Sequence, residues 1–227
     1  MKITLLSLLL LTTLAVLAQD SLEKNVGDFT ELKVYDLIYV NLIPSKENKV
    51  VLTGDDVQNI SINNTDGVLK IKMETSRLFS GSDNAVIVYY KDLAILDANE
   101  GSQIRSDQTL KGDVLKLRTQ EGGDIRLTVE VNQLISKAVT GGTLQLKGTA
   151  KRHDLTINTG GISNAKDLIT EITSVKIKVG GEADINASQL AEINIKAGGD
   201  VFIYGDPKVI DQKKLFGGRV KVIRQAP

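Results

Sequence analysis

The chain's single histidine, His153, stands beside Asp154, and serines follow at Ser163 and Ser174. A histidine that takes a proton from a serine, steadied by a carboxylate, is the arrangement that hydrolyses acyl bonds. Two features argue against it here. Adjacent side chains on a strand leave from opposite faces, so His153 and Asp154 are poorly placed to pair. Lys151 and Arg152, just before them, suggest an exposed loop. One histidine excludes a multi-histidine metal centre within the chain. The absence of cysteine excludes disulfides, thiolate metal sites, a cysteine nucleophile and the acylated cysteine of a lipoprotein. No residue is assigned a catalytic, cofactor-binding or metal-binding role.

Acids follow several glycine pairs, at Asp124, Glu182 with Asp184, and Asp200. Stacked above one another, they would suit calcium. The column is broken by Thr143, Ile162 and Arg219, which points to a solvated outer face instead. Lys176, Lys178 and Lys196 are expected on the outside of one sheet, where they would attract an anionic polysaccharide or simply discourage edge pairing. Acids and bases balance at 28 each, without the basic excess that nucleic-acid binding demands. Tryptophan is absent, and Tyr35, Tyr39, Tyr89, Tyr90 and Tyr204 form no spaced cluster that would stack sugars.

The elements that carry these residues are strands. Met1-Lys2, an apolar run from Leu5 to Leu17 and a small residue at Ala18 have the layout of a secretory signal peptide, 1–18. The run is too short to span a bilayer, so export without a retained membrane span is expected. Alternation follows in Val68–Met73, Ala85–Tyr90 and Val175–Val179. A short helix is suggested over Asn186–Glu192. Glycine pairs begin at Gly122, Gly141, Gly160, Gly180, Gly198 and Gly217, at intervals of 19, 19, 20, 18 and 19 residues. The fourth position of each repeat reads Ile104, Ile125, Leu144, Ser163, Ala183, Val201 and Val220.

One repeat is long enough for a circuit of two or three short strands. Circuits stacked about 4.8 Å apart would align the apolar positions into ladders. The expected fold is all-β: a right-handed parallel β-helix, or solenoid, of about 19 residues per coil. Residues 100–227 carry the glycine-pair repeats. Residues 19–99 are a β-rich segment that either begins the solenoid or caps its open end. No cap is legible at the other end, where Lys221, Arg224 and Pro227 would blunt the last edge.

Phe29–Val34, Asp66–Ile71, the serial glycine pairs, Gly198–Pro207 and Phe216-Gly217-Gly218 together resemble a family of secreted bacterial domains. It is labelled "head GIN domain, putative autotransporter adhesin" and is common in Bacteroidetes. This sequence has Gly-Gly where that family often has Gly-Ser-Gly. The resemblance implies a β-helical exported protein and brings no catalytic residues. The expectation is therefore a non-enzymatic, cofactor-free module of the cell envelope, for binding, adhesion or scaffolding. Its partners would be an envelope or host polysaccharide or protein. The alternative is a polysaccharide lyase or hydrolase on the same scaffold, which would need grouped carboxylates beside an aromatic in a groove.

Overall fold

The computed structural model describes residues 21–54 and 56–224. The expected signal peptide and Pro227 lie outside the described residues. Seventeen strands among the described residues join into one hydrogen-bonded sheet. The first nine are short: β1 (Ser21–Asn25), β2 (Glu31–Val34), β3 (Tyr39–Pro44), β4 (Lys49–Gly54), β5 (Ile60–Thr65), β6 (Val68–Met73), β7 (Asn84–Tyr90), β8 (Ile95–Ala98) and β9 (Gln103–Arg105). Five long ones follow: β10 (Leu110–Thr119), β11 (Asp124–Val139), β12 (Thr143–Asn158), β13 (Ile162–Val179) and β14 (Glu182–Ala197). The last three are β15 (Asp200–Tyr204), β16 (Val209–Phe216) and β17 (Arg219–Val222).

The chain winds as a β-solenoid of about seven turns, with roughly 19 residues per turn. Each turn has two legs, one after the glycine pair and one before the next. A bend between them switches the phase of alternation. In β11, Ile125, Leu127, Val129 and Val131 point inward before the bend, and Leu134, Ser136 and Ala138 after it. From β8 onward every pairing is parallel, so residues 100–222 contain no antiparallel hairpin. The fourth-position ladder is realised rung by rung: Ile104, Ile125, Leu144, Ser163, Ala183, Val201 and Val220 are successive partners. Each fully buried aliphatic side chain in such a ladder contributes about 1.5–3 kcal/mol. With no cysteine to cross-link the chain, that burial must offset the entropy of ordering it.

The glycine corner is built in two ways. At Glu121-Gly122, Thr140-Gly141 and Thr159-Gly160, the residue before the pair and the first glycine both have positive φ, near 50° and 75°. That is the geometry of a tight type I′ turn. The second glycine then meets the previous circuit: a Cβ on Gly123 would lie 2.2 Å from the Ala98 carbonyl oxygen. From Gly180 onward both glycines of the pair take positive φ themselves, as in Gly198 (64°) and Gly199 (105°). The first arrangement places a β-branched residue, Thr140, at φ 48°, where its side chain crowds the backbone. Thr140→Asn relieves that crowding, and thermal unfolding should show a gain of about 1 kcal/mol, or roughly 2–4 °C.

Residues before β8 extend the same stack. β2 lies parallel between β6 and β8, and β3 between β7 and β9. Outside them β4 runs antiparallel to β7, β5 antiparallel to β6, and β1 antiparallel to β4. The hairpin joining β5 and β6 turns on Asp66-Gly67. Asn186–Glu192, expected as a helix, lies inside β14. Ala187 and Ala191, four residues apart, are both buried because the bend there contains one extra residue. At the other end the core ladder of the second leg turns polar, with Gln212 and Lys214 of β16 opposite the buried Ile193 and Ile195, while Val220 and Val222 of β17 continue the first-leg ladder over Val201 and Ile203. This terminator was not legible in the sequence. No helix among the described residues is long and apolar enough to cross a membrane.

Candidate binding groove

His153 is not in an exposed loop. It is 1 % exposed inside β12, because Leu155 and Ile157 share its phase and all three face the core. Its Nε2 lies 2.9 Å from the Ser136 hydroxyl on the circuit before, a hydrogen bond closed to solvent. Burial pushes its pKa down to about 4, opposed only in part by Asp154. Asp154 faces outward, as strand alternation requires. Burial works against its charge, but hydrogen bonds from Arg152 and Gln133, both 2.8 Å, hold its carboxyl below the usual range. Ser163 is buried in the fourth-position ladder, and Ser174 lies opposite Asp154 on the outer face. The pieces of a hydrolytic triad are therefore not brought together.

The acidic column is also interrupted. Asp124, Thr143, Ile162, Glu182, Asp200 and Arg219 are successive partners across the rungs. Arg219 grips Asp200 through two hydrogen bonds of 2.8 and 2.6 Å, which hold that carboxyl below its usual pKa. Arg126 and Gln145 take up Asp124. Burial, helped by the charge of Glu182, raises Asp184. Among the described residues no group of three or more acids or histidines is placed to hold a metal.

A groove that crosses several circuits was not legible in the sequence. It follows the second corner of the coil, where strands bend without glycine pairs. The residues left out of the ladder there are Asp113, Asn132, Lys151 and Glu171. Asn132, Lys151 and Glu171 line a depression of about 580 Å³ together with Lys111, Glu130, Ile169 and Ser188, and Asp113 lines the one beside it. The first crosses five circuits, or roughly 19 Å at 4.8 Å per rung. Two further depressions, of about 280 and 360 Å³, continue it toward β2 through shared residues such as Lys111, Gly112 and Lys91. The walls alternate in charge. Lys111 pairs with Glu130 at 2.7 Å, Asn132 donates to Asp113 at 2.6 Å, and Lys91 pairs with Asp28 at 3.0 Å. No aromatic residue lines the 580 Å³ section. A long, shallow, charge-balanced trough can hold an extended polar chain through many weak contacts.

Residues 28–207 match the family model described as "Putative auto-transporter adhesin, head GIN domain". The chain belongs to this family. Several solved structures share the fold of this chain. A "putative adhesin" from Bacteroides fragilis is 17% identical, with 90% of this chain and 97% of that one covered and a TM-score of 0.82. A "putative adhesin" from Parabacteroides merdae is 18% identical, with 91% and 96% covered and a TM-score of 0.70. A "putative lipid binding protein" from Parabacteroides distasonis is 16% identical, with 91% and 97% covered and a TM-score of 0.69. No curated protein matches the chain. At these identities the solved structures establish the fold and leave the ligand open.

Proposed function

We propose that this head GIN domain is an exported, non-enzymatic binding module of the cell envelope, which holds an extended polar polymer of the envelope or host along its second corner. The observation that carries this reading is the groove's continuity over five stacked circuits, with walls of alternating charge. The family description and the adhesin names of its structural neighbours support an adhesive role at the cell surface. The lyase or hydrolase alternative needs free paired carboxylates beside an aromatic platform. In the 580 Å³ section Glu130 is engaged by Lys111, and Glu171 has no aromatic neighbour along the lining.

The test is a glycan array together with a pull-down from envelope extract, using the chain from Gln19 onward. Retention of one polymer class is expected, weakened roughly tenfold by Lys151→Glu with no change in melting temperature. New reducing ends or unsaturated products in the bound polymer would move the protein to the enzyme class. Retention unaffected by Lys151→Glu would move the site away from the second corner.

A further inference from the structure

Near the last glycine corner, lysines on the outer face of the second legs border exposed apolar side chains at the corner itself. Lys176, Asn194 and Lys213 are successive partners on the outer face of the second legs. Lys178 and Lys196 fall opposite one another, between the pairs Ile177–Ile195 and Val179–Ala197. Leu215 continues their column on the outer face, and Phe216, opposite Ala197 and directly before Gly217, stands at the corner next to it. Leu215 is 68% exposed, Phe216 70% and Val179 56%. No ion pair engages Lys176, Lys178, Lys196 or Lys213 among the described residues. Acids return one column away, at Glu192 and Asp211. Residues 206–224 hold six basic and two acidic side chains, in a chain whose charges otherwise balance.

Edge protection does not account for this patch. Lys176, Lys178 and Lys196 sit on paired inner strands, and Leu215 and Phe216 make the edge stickier. A second copy meeting this surface about a two-fold axis would set lysine against lysine. A phosphate-bearing lipid surface satisfies both chemistries. Lysine stems lie along apolar surface while their ammonium groups reach phosphates, and Leu215 and Phe216 enter the boundary of the acyl region.

We propose that the last glycine corner is a docking surface for an anionic phospholipid bilayer. The surface lies apart from the second-corner groove, so it does not rest on the polymer-binding reading. The test is co-sedimentation of the chain from Gln19 onward with vesicles of phosphatidylcholine, alone or mixed with phosphatidylglycerol. Binding to the mixed vesicles is expected, roughly tenfold weaker without phosphatidylglycerol or in high salt. Phe216→Ser with Leu215→Ser should weaken it by a similar factor, and Lys151→Glu should leave it unchanged. Because the chain has no tryptophan, Phe216→Trp supplies a single fluorophore whose emission should shift to the blue on the mixed vesicles. Equal binding to both vesicle types, or no spectral shift, would overturn the proposal. So would full competition by a soluble acidic polysaccharide that ignores the Phe216 and Leu215 changes, or a dimer lost in the double variant.

Discussion

Replacing Gly148 with alanine is expected to cost about 4 kcal/mol and to lower the melting temperature by about 10 °C or more. Gly148 sits in the first leg of β12 at φ 100°, between Val129 and Leu168. A Cβ there would lie 2.1 Å from the Val129 carbonyl oxygen and 3.1 Å from its amide nitrogen. Those are backbone atoms of the neighbouring circuit, tied into the ladder, and they cannot swing aside. Backbone strain and overpacking each cost roughly 1–3 kcal/mol, and here they act together. Gly141 provides the comparison. Its φ is 72°, but a Cβ there meets nothing within 4 Å. Gly141→Asn should therefore lose no more than about 1 kcal/mol, since asparagine tolerates the left-handed region. Urea unfolding of the two variants side by side measures the difference. Equal losses would mean that turn conformation, and not contact between circuits, sets the demand for glycine.

The second large effect is a dependence of stability on pH that traces to His153. Its pKa in the folded protein is about 4, below the ordinary value of 6.5. Between those values the unfolded chain binds the proton more readily than the folded one. Stability from the buried neutral ring is therefore complete above pH 6.5 and is lost as pH falls toward 4. The full loss is about 3 kcal/mol. His153→Leu removes the titration, though it leaves the Ser136 hydroxyl without its partner. The variant should be less stable than the parent at pH 7 and should lose less between pH 6.5 and 4. Asp184, whose pKa is raised by burial, contributes with the opposite sign in both proteins and cancels in the difference. Parallel pH profiles for the two proteins would show that His153 is protonated at no cost.

Much of the architecture was written in the spacing of glycine. Glycine is demanded where the backbone turns left-handed or where one circuit presses on another, and both demands recur once per lap. The fourth-position ladder followed directly, down to Ser163 between Leu144 and Ala183. The groove had no comparable mark. Its bend is made by Asp113, Asn132, Lys151 and Glu171, four residue types that share only a change of phase in the burial pattern. A change of phase is invisible until the rungs are aligned. His153 was misread for a different reason. Its charged neighbours drew attention to solvent, whereas its alternation with Leu155 and Ile157 already placed it inside. The terminator in β16 escaped because Gln212 and Lys214 occupy inward positions only by register with Ile193 and Ile195.

Those two side chains have a consequence for how many molecules can join end to end. A greasy terminal rung would welcome another stack on top of it, and that stack would expose the same invitation again, with no natural stopping point. An amide and an ammonium over one leg of the core work against such stacking on that side, while Val220 and Val222 leave the other leg of the same rung apolar.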